Sequence, residues 1–327
     1  MAMSRKINTR LKSEDNTGFG TNSNYSGGRF YTRQGKANIK KKGVGLLERY
    51  SWYHTMLKMP RAKFLLLLLL IYIGINLVFA GIYYLIGIEH LAGIITGSPW
   101  KDFTEVFFFS TQTFTTVGYG RISPTGFLTS AVATFEAFLG LLNFAIATGL
   151  FYGRFSRPQA FLKFSSHALI SPYKDGIALM FRMSPYKNNN LSEAEVKLTM
   201  GMQTEENGKM ANKFYTLDVE IAKINSLVLS WTIVHPIGEL SPLYGFSEND
   251  IKNSRIEIWV YVKAFDEIFS NTVVDRTSYI SPEIVWGGKF RLMYHPSHDK
   301  NHTILDLDKL DEYDKVEIEQ PAKVLQE

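Results

Sequence analysis

From Phe64 to Ile86 the chain reads FLLLLLLIYIGINLVFAGIYYLI, a predominantly apolar run with no charged side chain. Roughly 20 such residues suffice for a helix to cross a bilayer. Leu65 to Leu70 is apolar on every helical face, which disfavours a helix half exposed to water. The run starts too far from Met1, and is too long, for a cleaved leader. A second apolar stretch reaches from Phe127 to Tyr152, broken by the acidic Glu136 and the amide Asn143. Between them lies an apolar-aromatic segment, Pro99 to Phe114, too short to span. Ser98 and Pro99 at its start fit a helix N-terminus. It reads as a re-entrant helix, because irregular backbone at membrane depth is tolerated only when protein buries it or it lines a cavity. Its C-terminal dipole end favours a cation.

Beyond Ser165 the pattern changes to short alternating runs, such as Gly176–Phe181, Val228–Val234 and Ile256–Val262. Turn residues separate them: Pro172, Lys187 to Asn190, Gly238, Ser247 to Asp250 and Gly287-Gly288. Many short strands with turn signals predict a β-sandwich or barrel. No Gly-x-Gly-x-x-Gly follows a strand, which counts against a nucleotide-binding regulatory domain. No nucleophile-base pair, P-loop or paired carboxylates stand out, so catalysis has no support. His295, His298 and His302 sit in a polar loop without the ordered element a metal site needs.

Charge supplies orientation. The net charge is +5, and its basic residues concentrate before the first span and after the second. Lys40, Lys41, Lys42, Arg49, Lys58, Arg61 and Lys63 precede the first; Arg154, Arg157 and Lys163 follow the second. Only Lys101 and Arg121 stand out between them. Both termini are therefore expected in the cytoplasm. The bilayer explains the location of these charges better than a nucleic-acid patch does. The absence of cysteine agrees with a reducing compartment.

Directly after the short segment comes Thr115-Thr116-Val117-Gly118-Tyr119-Gly120. It resembles the selectivity-filter signature of potassium channels, in which backbone carbonyls replace the hydration shell of the ion. Gly118 and Gly120 suit backbone that an L side chain would disfavour. The resemblance implies K⁺ held by Thr116, Val117, Gly118 and Tyr119, with the Val117 and Tyr119 side chains packed behind the filter. It also implies four copies around one axis, a homotetramer.

Further landmarks resemble the inward-rectifier potassium channels, most of all the prokaryotic branch. These are Gly35-Lys36-Ala37-Asn38-Ile39 (an N-terminal strand motif), Tyr50 through Lys58 (an interfacial slide helix), Arg154-Phe155-Ser156-Arg157-Pro158 and Phe164-Ser165-Ser166-His167-Ala168. Val234-His235-Pro236, Ser241-Pro242-Leu243-Tyr244 and Glu283-Ile284-Val285-Trp286-Gly287 continue the series. The expected architecture is a membrane α part with a C-terminal all-β immunoglobulin-like sandwich. Residues 1–43 would be a basic, largely disordered segment with a short strand, 44–62 the slide helix, 63–155 the transmembrane pore domain, and 156–327 the cytoplasmic sandwich. The implied setting is a multi-pass protein of the cell (inner) membrane. K⁺ would be its permeant ion, with no other cofactor beyond a phosphoinositide or other anionic lipid.

The resemblance also implies site residues. Tyr152, or alternatively Phe151, would close the path at the inner end of the second span. Gly140 and Gly149 fit either hinges or close packing. Asn143 and Phe144 line the cavity where strongly rectifying relatives carry an acidic residue that draws in Mg²⁺ or polyamine blockers, so strong block at this point is not expected. Gln112 and Arg121, with Thr115, support the filter. Arg121 stands either at the outer mouth or in a salt bridge to Glu105 or a neighbouring subunit. Lys58, Arg61, Lys63, Arg154, Arg157 and Lys163 would meet anionic headgroups, each adding about 1 kcal/mol. Asp266 and Glu267 either face the cytoplasmic pore or occupy a solvated turn.

Overall fold

The computed structural model describes residues 29–43, 51–206 and 209–318, with Gly18 and Gly45; side chains of 204–211 are left aside. The segment before Arg29 and the start of the slide helix lie outside the described residues. Two compact units emerge, one over 41–157 and one joining 29–40 to the chain after Pro158.

In the first unit a short helix, Trp52–Lys58, begins where the Ser51 hydroxyl accepts the His54 N–H. The first span, Arg61–Ile86, follows Pro60 and ends at Gly87, whose φ of 115° few other residues adopt. The pore helix, Pro99–Phe114, is capped by Ser98, which accepts from Lys101 N, and carries Asp102 in its first turn. The second span, Phe127–Phe155, starts after Gly126 and has Arg154 in its last turn. Both spans are long and apolar enough to cross a membrane. Two short strands, β1 (Leu91–Ala92) and β2 (Ser123–Pro124), pair antiparallel and tie the loop after the first span to the loop after the filter.

The second unit is a sandwich. One sheet holds β3 (Leu162–Phe164), β4 (Ala168–Tyr173), β5 (Gly176–Pro185), β9 (Trp231–Pro236) and β12 (Ile284–Trp286). The other holds β6 (Leu191–Glu206), β7 (Lys209–Leu217), β8 (Lys223–Leu227), β10 (Ile256–Asp266) and β11 (Asn271–Ile280). Alternate residues of β5, Leu179, Phe181 and Met183, share one core with Leu198 and Met200 of β6 and Ile258, Val260 and Val262 of β10.

Among the described residues, the N-terminal segment 29–43 is not a strand of either sheet. A tight turn through Gly35 leaves one bridge, Tyr31 to Ala37. The segment docks on the β10–β11 sheet: the Glu257 carboxylate accepts the N–H groups of Phe30 and Tyr31, and Phe30 packs against Phe214 and Trp259. Side-chain recognition, rather than ladder pairing, holds it.

Candidate ion-conduction site

The filter hangs from the C-terminus of the pore helix. The last carbonyls of a helix lack intrahelical partners, and here the filter supplies them. Thr116 N donates to Thr113 O at 3.0 Å, while Val117 N and Gly118 N both donate to Gln112 O, at 3.0 and 3.3 Å. In a trans peptide the carbonyl points opposite to the N–H that follows it. With three successive N–H groups turned back on the helix, the carbonyls of Thr115, Thr116 and Val117 point away from it, toward the open side. Gly118 and Gly120 have φ of 52° and 82°, as the motif predicts. Thr116 shares this left-handed conformation at φ 60°, a strain of roughly 1–2 kcal/mol for a residue with a Cβ.

Within a single chain the Val117 and Tyr119 side chains are uncovered, 54% and 79% exposed. Gln112 contributes its backbone carbonyl to the filter. Arg121 ion-pairs with Glu105 at 2.5 Å and also reaches Gly93 O at 3.4 Å. This selects the salt bridge within the chain from the alternatives for Arg121.

Behind the pore helix lies a polar cluster that sequence reasoning did not assign. Tyr83 of the first span donates to Glu136 Oε2 at 2.7 Å, and Ser110 of the pore helix donates to Oε1. Asn76 Oδ1 lies 3.1 Å from the Ser110 hydroxyl. All four side chains are fully buried. An acidic residue inside an apolar span was the one signal that could have found it. One turn further along, Gly140 lets the second span close on Phe114, whose carbonyl oxygen would sit 1.9 Å from a Cβ there.

At the inner end, Phe151 packs edge-on against Phe64, with centroids 5.3 Å apart, and stacks on Phe155. Tyr152 is 74% exposed, and Phe144, eight residues earlier, is also exposed; Asn143 is half-buried. Lys58, Arg61, Lys63 and Arg157 are exposed, as is Lys163 in the other unit. Arg154 departs from the headgroup-binding set. Its guanidinium donates to the carbonyls of Met56 and Met59 and lies over the Phe64 ring, so it caps the short helix.

In the sandwich, Asp266 and Glu267 separate. Asp266 is buried, and its Oδ1 accepts from Ile268 N and Phe269 N, closing the turn between β10 and β11. Only Glu267 is exposed. Of the two alternatives for the pair, Asp266 takes a turn position, buried rather than solvated, because the turn needs a side-chain acceptor for its own N–H groups.

Comparison with known proteins agrees with this arrangement. Residues 70–157 match a family model described as "Ion channel", and residues 162–327 match "Inward rectifier potassium channel C-terminal domain". The chain is similar to "Inward rectifier potassium channel Kirbac3.1" of Paramagnetospirillum magnetotacticum, with 33% identity over 289 residues, 87% of this chain and 95% of the relative. "G protein-activated inward rectifier potassium channel 2" of Homo sapiens is 29% identical over 289 residues, 80% of this chain and 67% of the relative. "G protein-activated inward rectifier potassium channel 3" of Mus musculus is 28% identical, over 80% of this chain and 72% of the relative. A filter motif hung from a re-entrant helix between two spans, a β-sandwich after them and these matches lead to one conclusion: the chain belongs to the inward rectifier potassium channel family.

Proposed function

We propose that four copies of this chain enclose a passive, K⁺-selective pore. The observation that carries this reading is the filter backbone. It turns its N–H groups to the pore helix and its carbonyls outward, and it leaves Val117 and Tyr119 uncovered. A single copy offers carbonyls on one side of an ion only; closed rotational symmetry completes the cage and gives the exposed side chains neighbours. Tyr152 closes the path at the inner end, since Phe151 is already engaged against Phe64. Four rings there block by bulk and dewetting.

Lys58, Arg61, Lys63, Arg157 and Lys163 are the candidate contacts for anionic lipid, phosphoinositides included. Asn143 and Phe144 offer no carboxylate to Mg²⁺ or polyamines, so rectification by block in the cavity is weak. Glu267 is the remaining acidic candidate in the cytoplasmic path. The setting is the cell membrane, with both termini in the cytoplasm. Proteoliposomes holding the purified chain take up rubidium-86, and Ba²⁺ stops the uptake; absence of cation uptake would rule out the channel. Repeating the assay with and without phosphoinositide reads the lipid response, and an unchanged flux would remove lipid regulation from the proposal.

A further inference from the structure

Glu136 touches no part of the ion path described above, yet a carboxylate within an apolar span is costly unless it is held. Two helices other than its own hold it. Its two oxygens receive hydroxyls from different elements, Tyr83 of the first span and Ser110 of the pore helix. The Ser110 contact has a companion. Ser110 and Phe114 stand four residues apart on the pore helix, while Glu136 and Gly140 stand four apart on the second span. Residues at that spacing share a helix face. The two helices therefore meet at two points one turn apart, a hydrogen bond at 110–136 and a backbone approach at 114–140. The residue after Phe114 is Thr115, where the filter begins.

Apolar packing around these points, through Val106, Phe109 and Ala133, is non-directional and tolerates sliding. A hydrogen bond does not, because it is short and angle-dependent. We propose that Glu136 is a positioning residue for ion selection. By holding Ser110 it locks the pore helix in the one register at which the filter carbonyls discriminate K⁺ from Na⁺. The Tyr83 contact ties span to span and bypasses the pore helix, so the two hydrogen bonds have separable consequences. This inference rests on the channel reading.

The test compares Ser110→Ala, Tyr83→Phe and Glu136→Ala in planar bilayers, with reversal potentials measured between K⁺ and Na⁺ solutions. The unaltered chain is the reference; if it carries no K⁺ current, the channel reading itself falls. Ser110→Ala removes a single oxygen and is expected to lower the K⁺/Na⁺ permeability ratio roughly tenfold, the upper end of the scale of one hydrogen bond. Tyr83→Phe loses a bond of the same kind and is expected to keep the ratio, while lowering the thermal stability of the assembly. Glu136→Ala should follow Ser110→Ala in selectivity; if it fails to assemble, Ser110→Ala decides alone. A merely structural carboxylate predicts lost stability with an unchanged ratio in Ser110→Ala, and that result overturns the proposal. An equal loss of selectivity in Tyr83→Phe overturns it as well.

Discussion

Replacing Gly140 by alanine puts a carbon atom 1.9 Å from the carbonyl oxygen of Phe114 and 2.8 Å from its carbonyl carbon. Both are backbone atoms at the end of the pore helix, so no rotamer change relieves the contact. Reaching even the 3.0 Å floor of real Cβ contacts requires the helix end to retreat by about 1.1 Å. Overpacking a well-filled site costs about 1–3 kcal/mol where side chains can give way, and the upper end applies to a collision with backbone. Thr115 follows Phe114 directly, so the displacement passes into the filter. Gly149 is the internal control, because a Cβ there meets nothing within 4 Å. Gly140→Ala should abolish K⁺-selective rubidium flux, or leave a flux that Na⁺ shares, in protein that still reaches the membrane. Gly149→Ala should conduct normally, with helix propensity in its favour by about 1 kcal/mol. If Gly140→Ala conducts and selects like the unaltered chain, the close-packing argument is wrong. If Gly149→Ala locks the channel shut or open, that glycine is a hinge and the control becomes the finding.

Further outcomes follow from other contacts. Glu105→Gln leaves Arg121 without its carboxylate beside the filter, and K⁺ current should fall by roughly twofold or more at low salt. Near 1 M salt, where the Debye length is about 3 Å, the deficit should vanish; a salt-independent deficit would point to lost structure instead. His235 is buried, with Nδ1 2.5 Å from Asp218 O and Nε2 2.8 Å from Ser241 Oγ, and burial pushes its pKa below the ordinary 6.5. The unfolded chain then takes up a proton that the folded chain refuses. Stability is thus complete above the unfolded value and declines as pH falls toward the folded one, by at most about 1.4 kcal/mol per pH unit. Thermal unfolding between pH 8 and 5 reads this, and His235→Gln should flatten that part of the profile. Gly35→Ala places a Cβ 2.4 Å from Arg276 O at a φ of 68°. The docked N-terminal segment should loosen, and amide exchange at Phe30 and Tyr31 should quicken by about tenfold or more, the left-handed penalty alone being roughly 1–2 kcal/mol.

Both spans, the re-entrant helix and the filter were legible because each is written locally. The apolar runs around Phe64–Ile86 and Phe127–Tyr152 have one physical reading at their length, and Thr115 to Gly120 is contiguous. The sandwich was legible from its alternation and turns. The Arg121–Glu105 pair was within reach because both ends are charged and bracket the filter. What escaped depends on distant partners. Glu136 is 53 residues from Tyr83 and 26 from Ser110, and no local pattern announces a shared pocket. Asp266 beside Glu267 looks like one acidic patch until the turn claims one carboxylate for its own N–H groups. Arg154 reads as a headgroup contact until Met56 and Met59 present carbonyls to it. Whatever covers Val117 and Tyr119 is not written in a single subunit, where both are exposed.

The hydrogen bonds from Thr116, Val117 and Gly118 back to the pore helix make helix and filter one electrical object. A helix normally ends in bare oxygens, and its negative pole stops there. Here the oxygens of Gln112 and Thr113 are capped by filter peptide groups whose own oxygens emerge on the far side. Dipoles linked in series polarise one another, so the pole is relayed a further peptide outward and reappears on the filter carbonyls. The short helix then does more than aim a diffuse field at the pathway. It adds electron density to the oxygens that replace water around the ion, and a filter peptide that flips breaks this relay together with the ion cage.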